Sequence, residues 1–163
     1  MKAQLGLTDF LTIGCAVLGA GLGIINTLTN LNQRRVKLRV NPKLAVRYES
    51  GGVFSHTTEL LPNSAPAVEV INLSAFPVTI AEAGFKLTGD DGRVIPTPPC
   101  VIDNKPWPRR LESRESVTVY FSGNQSFPKN LGRAYATTDC ETTRYGDSPA
   151  LKKFRAHLSR EAK

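Results

Sequence analysis

The sequence predicts a mainly β protein: an antiparallel β-sandwich preceded by one N-terminal membrane-spanning helix and followed by a short amphipathic helix. Three observations carry this reading. No charge occurs between Asp9 and Arg34, a gap of 24 positions. Beyond Arg35, apolar residues alternate with polar ones in short runs separated by turn dipeptides, the signature of strands. The last stretch returns to helical spacing.

The first element is the uncharged run. Roughly 20 helical residues cross a hydrocarbon core of about 30 Å, so the run is long enough. Its strongly apolar part is Phe10 to Ile25, and Asn26 to Gln33 form a polar end before the arginines. A cleaved signal peptide fits less well, because Lys2 alone makes a thin basic start and no small-x-small site ends the run. A buried or partner-docking helix is the remaining alternative. Cys15, Gly19 and Gly23 recur every four positions, a stripe that lets a second helix approach closely, although glycine is common in membrane helices in any case. Lysines and arginines concentrate after the run, at Arg34, Arg35, Lys37 and Arg39. The positive-inside rule then puts the N-terminus outside and the body in the cytoplasm, with these four cations at the membrane surface.

The strands follow in order. Val36, Leu38 and Val40 alternate with Lys37 and Arg39, and after Asn41-Pro42 the alternation resumes from Leu44 to Tyr48. Further strands are expected at 67–73 (AVEVINL), 78–81 (VTIA), 85–88 (FKLT), 117–121 (VTVYF) and 133–137 (RAYAT). Turn signals stand between them at Gly51-Gly52, Pro62-Asn63, Asp90-Asp91-Gly92 and Ser122-Gly123-Asn124. Seven or more short strands with such punctuation argue for an antiparallel sandwich or barrel. No helical stretch lies between strands to support a parallel sheet.

Within this region AVEVINLSAFPVTIAEAGFKLTGDDGRVI resembles immunoglobulin-like and fibronectin-like sandwiches: an alternating strand, a short break, then a second strand running to a Gly-Phe hairpin. RRLESRESVTVYF is similar to a later strand of such domains. An anchor, a basic run and this pattern together resemble small bacterial and phage membrane proteins of no assigned activity. The resemblance spans about residues 36–147 and implies an immunoglobulin-like fold but no activity. The Cys…Trp…Cys spacing of antibody domains is absent, since Trp107 lies in the proline-flanked KPWPRR.

That loop is the most unusual surface candidate. An exposed Trp107 beside Arg109 and Arg110 would make a partner contact; the structural alternative is an indole that plugs one end of the sandwich. The C-terminal DSPALKKFRAHLSREAK starts a helix well, with Ser148 as cap and Pro149 in the first turn. Leu151, Phe154 and Leu158 share a face and Lys152, Lys153, Arg155 and Arg160 occupy the rest. Such a helix docks on the body or lies on an anionic membrane.

The chain thus divides into an anchor at 1–33, a sandwich at 34–147 and a basic helix at 148–163. The formal charge is +7, but its distribution argues against nucleic acid. Residues 50–147 hold nine basic and eleven acidic side chains, so the excess sits in the flanks, whereas a nucleic-acid domain carries it on the folded body. Three cysteines at wide spacing form no disulfide framework; Cys100 and Cys140 could pair only in the opposite orientation. No zinc spacing occurs. Asp90-Asp91-Gly92 lacks the spaced oxygens of a calcium loop, and the glycines at 19–23 lack the Lys-Ser/Thr of a phosphate loop. His56, in a loop-like stretch, and His157 have no nucleophile beside them. The expectation is a non-enzymatic protein with no cofactor and no metal. Its partners would be the bilayer and a membrane or assembly protein, with the helix open to self-association. It would bind or scaffold at the membrane. The alternative is a structural component of a virion or envelope assembly.

Overall fold

The structure is a computed structural model that describes residues 6–47, 54–57, 59–61, 64–96, 101, 105–121 and 127–160. The turn signals at Gly51-Gly52, Pro62-Asn63 and Ser122-Gly123-Asn124, the end of the expected strand at Tyr48, and Cys100 lie outside these residues. The chain forms two units, 1–35 and 36–163. The first is a helix, α1 (Leu7–Gln33).

The second unit is mainly β. Its strands are β1 (Leu38–Arg47), β2 (Phe54–Thr57), β3 (Ser64–Asn72), β4 (Val78–Leu87), β5 (Arg93–Val94), β6 (Arg109–Leu111), β7 (Ser116–Tyr120), β8 (Leu131–Thr138) and β9 (Thr143–Gly146). They form two sheets in which every pairing is antiparallel. One sheet has the order β2-β1-β3-β7, and the other has β5-β4-β8-β9 with β6 also on β4. Short α2 (Pro149–Arg160) closes the chain.

Alternation decides which side chains face inward. Val40, Leu44, Val68, Val70, Val117 and Val119 of the first sheet share one apolar core with Ile80, Phe85, Leu111, Leu131 and Ala136 of the second. Ala150, Leu151 and Phe154 of α2 join it. An aromatic chain links them: Phe85 to Phe121 at 5.0 Å, Phe121 to Phe127 at 5.7 Å, and Phe127 edge-on to Phe154 at 5.5 Å. The C-terminal helix is therefore part of the β unit's core. Ser148 caps it as expected, accepting from the Leu151 N–H at 3.1 Å.

Two expected breaks are absent. Asn41-Pro42 does not interrupt β1. At Pro42 the strand is paired only on its β3 side, opposite Val68. The Pro42 carbonyl points the other way, accepting from Ser148 Oγ at 2.7 Å, so the missing N–H costs no ladder bond. Likewise 78–81 and 85–88 are one strand, and the expected Gly-Phe hairpin is not formed. Gly84 sits within β4, where a Cβ would overlap the Val94 carbonyl oxygen of β5. The hairpin comes later, at Asp90-Asp91-Gly92, closed by Leu87 N–H donating to Gly92 O at 2.9 Å. Gly146 is equally constrained: a Cβ there would collide with the Val40 carbonyl, where β9 meets β1.

One buried polar residue ties the turns at one end. Asn72, wholly buried, donates from Nδ2 to the carbonyls of Phe76 (2.8 Å), Leu111 (3.1 Å) and Glu112 (3.1 Å), and its Oδ1 accepts from Ser74 N–H at 2.9 Å. Ser113 Oγ donates to Ser74 O at 2.7 Å, and Lys37 N–H donates to Ser74 Oγ at 2.8 Å. The start of β1, the β3–β4 turn and the β6–β7 turn are thereby locked together.

Candidate functional site

α1 is strongly apolar from Phe10 to Ile25 and carries no charge from Phe10 to Gln33. Leu11, Val17, Leu18, Leu22, Ile25 and Leu28 are each 61–69% exposed, and none of the stretch Leu11–Gln33 is buried. That stretch is long and apolar enough to cross a membrane. Two of its threonines hide their hydroxyls: Thr27 Oγ1 donates to Gly23 O and Thr29 Oγ1 to Ile25 O, both at 2.8 Å. Such back-bonding lowers the cost of a hydroxyl in an apolar medium. Cys15, Gly19 and Gly23 lie open on this helix, and nothing stands within 4 Å of a Cβ built at either glycine.

The four expected surface cations are all exposed. Arg34 and Arg35 follow the helix, and Lys37 and Arg39 lie at the start of β1. Arg39 and Lys43 are spaced to share the face of β1 that turns away from the core.

The Trp107 loop is divided between inside and outside. Trp107 is half-buried against the core, and its Nε1–H donates to Ala81 O at 2.7 Å. That carbonyl is available because the β4–β8 register shifts between Ile80 and Glu82. Arg109 is 7% exposed and pairs with Glu115 at 3.2 Å. Both side chains serve the body's own packing. Only Arg110 faces out, paired with Glu112 at 3.2 Å.

A cleft of about 510 Å³ that sequence reasoning missed lies beside β1, β2 and the start of α2, lined by Pro42, Lys43, His56, Thr57, Glu59 and Ser148 among others. His56 is exposed on strand β2, not in a loop, and lies parallel to the Tyr120 ring at 6.1 Å. Burial and then the Lys43 charge lower its pKa from the ordinary value, so it is neutral near pH 7. Lys43 is bound to Glu69 at 2.7 Å, and Asn41 Nδ2 donates to the other carboxylate oxygen at 3.1 Å. Burial pushes the Glu69 carboxyl up, but these two donors outweigh it and its pKa is lowered. The Lys43 charge in the cleft is thus matched within the fold. The only sequence signal for it was period-two spacing of Asn41 and Lys43.

Cys140 is a free, exposed thiol in the β8–β9 turn. Hydrogen bonding to Thr138 Oγ1 (3.1 Å), then to Thr142, lowers its pKa. Among the described residues, no three of His, Cys, Asp and Glu come together as a metal-binding group. Comparison with protein-family models, with curated proteins and with solved structures finds no match to this chain.

Proposed function

We propose that the chain is a single-pass, membrane-anchored β-sandwich that works by binding or scaffolding a protein at the membrane rather than by catalysis. The observation that carries this is the exposure of α1. Nine of its large aliphatic side chains are more than half exposed. Burying each would be worth about 1.5–3 kcal/mol, so water around them costs more than about 10 kcal/mol, as much as a domain's whole stability. A hydrocarbon surrounding removes that cost, and the back-bonded threonines suit it.

What supports the sandwich is the shared core between the two sheets and the strand order. β1-β3-β7 and β4-β8-β9 pair as strands A-B-E and C-F-G pair in immunoglobulin domains. The departure is β6, which lies on β4 rather than beside β7. The asymmetry of Arg34, Arg35, Lys37 and Arg39 against Lys2 favours an outside N-terminus and a cytoplasmic body. Anchoring raises the effective concentration of the β unit toward other membrane proteins, and Arg110 and the unpaired strand edges are the surfaces it offers.

Flotation tests the anchor. The full chain is expected to rise with liposomes through a density gradient, to resist alkaline carbonate and to be released by detergent. A full-length product that stays in the supernatant after high-speed centrifugation without detergent would overturn the reading. Cys140 reports sidedness because it is exposed. A membrane-impermeant maleimide is expected to label it only after cells are permeabilised, with Cys140→Ser as control. Labelling of intact cells would reverse the orientation.

A further inference from the structure

We propose that the end of the β unit nearest the tether is a binding surface for anionic lipid headgroups, built from Lys37, Arg39 and Arg114. The inference rests on the reading that α1 spans a bilayer. It starts from how little chain separates the two units. The α1 ladder persists to Arg34 N–H, which donates to Asn30 O at 3.2 Å. The β unit is fixed from its first residues: Val36 packs on the core, Lys37 N–H donates to Ser74 Oγ, and Lys37 O accepts from Leu73 N–H at 2.8 Å. Arg34 and Arg35 alone are left as tether. With two intervening residues, Val36 lies no more than about 11 Å from Gln33, comparable to the Debye length of about 8 Å at physiological salt. A charge at this end of the β unit can therefore come within electrostatic range of the surface at which a spanning α1 emerges.

The side chains at that end have the matching sign. Arg114 N–H donates to Asn72 O at 2.9 Å, and Asn72 pairs with Leu38, so Arg114 and Lys37 flank the same strand end. All three of Lys37, Arg39 and Arg114 are exposed, and none makes an ion pair among the described residues. The nearby carboxylates of Glu112 and Glu115 are taken by Arg110 and Arg109. Asp139 and Glu141 belong to the β8–β9 turn of the other sheet, so the rim is basic on the side of the first sheet. The exposed residues of the β3–β4 turn, Ala75 and Pro77, offer no large wedge for insertion, so the contact is electrostatic. The basic face of α2 takes no part. Phe154 reaches Phe121 through Phe127, beyond the last residue of β7, whereas β7 begins beside Asn72 at the tether end.

The test uses the full chain in vesicles of phosphatidylcholine, alone or with about one-third phosphatidylserine, carrying a headgroup-level quencher. Cys15, Cys100 and Cys140 are changed to serine and one fluorophore is placed at Ala75→Cys or at Ala156→Cys, both exposed positions. At position 75, quenching is expected to rise about twofold with phosphatidylserine, to fall back in high salt, and to lose its lipid dependence in the Lys37→Glu, Arg39→Glu, Arg114→Glu triple variant. At position 156 it is expected to stay low in both lipids. Flotation with quenching at 75 that ignores lipid charge and salt overturns the headgroup contact and leaves the anchor standing. Equal quenching at 156 overturns it too. Failure to float overturns the spanning helix, and the proposal falls with it. The salt arm uses unmodified charges, so the result stands even if the triple variant misfolds.

Discussion

Asn72 shows how much one side chain holds in this protein. Its amide satisfies three carbonyls and one N–H from the β3–β4 turn and the end of β6, at a position with no solvent contact. Leucine would match its volume but leave those groups without a partner, and alanine would leave a void as well. Each stranded buried group costs about 1–3 kcal/mol, against about 0.5–1.5 kcal/mol for an ordinary hydrogen bond. Asn72→Ala is therefore expected to lower unfolding free energy by about 3 kcal/mol. Urea titration followed through Trp107, the sole tryptophan, checks it; a loss under about 1 kcal/mol would mean that water replaces the amide. Cys140 makes a second residue-scale prediction. Thr138 lowers its pKa by hydrogen bonding, which raises the thiolate fraction near neutral pH. Thr138→Val is expected to slow its maleimide labelling at pH 7 severalfold. An unchanged rate would show that the hydroxyl does not act on the thiol.

At the scale of elements, what the sequence revealed depended on length and on sidedness. β3, β7 and β8 were legible as short apolar runs bounded by turn signals, whereas β4 read as two strands because Glu82 and Gly84 interrupt its apolar pattern. β2, β5, β6 and β9 were not legible. β5 and β6 have two and three residues, too few to display a period, and β9 has no buried side chain. Pro42 read as a breaker because sequence does not reveal that β1 is paired on one side there. Trp107 stayed open between a partner contact and a plug of the body because the bulge that frees the Ala81 carbonyl has no sequence signature. α2 was legible as amphipathic, but its choice between membrane and body was not, since both want the same apolar face. The core decides it: Leu151 and Phe154 are 2% and 6% exposed. Phe154→Ala is expected to destabilise the β unit by about 3–5 kcal/mol, and Lys152→Ala, on the exposed face, by less than about 0.5 kcal/mol. Near-equal small effects in urea titration would mean that α2 frays and adds nothing to the core.

At the scale of the whole molecule, charge is sorted between the two units. α1 is uncharged from Phe10 to Gln33, the basic residues begin where it ends, and the β unit balances its own acids with neighbouring cations. That balance sets where in pH the fold is strongest. Glu69 has a lowered pKa, so the unfolded chain binds its proton more readily than the folded one. Its contribution is present above the unfolded value of about 4.3 and is lost as pH falls through the folded value. His56 is also lowered, so folding keeps it neutral where the unfolded chain has begun to protonate. Its loss starts higher, below about 6.5, and is small because the ring is exposed. Stability is therefore expected to fall in two steps on acidification, a shallow one near pH 6 and a steeper one below about pH 4. His56→Gln should remove the first step. Glu69→Gln should be less stable than the parent at pH 7, because Lys43 loses its partner, and the difference should shrink toward pH 3 as the parent's carboxylate takes up its proton. Urea midpoints at the two pH values measure this directly. Equal losses in parent and Glu69→Gln between pH 7 and 3 would show that Lys43 and Asn41 do not hold the carboxylate in solution, and the acid lability would have to come from elsewhere in the β unit.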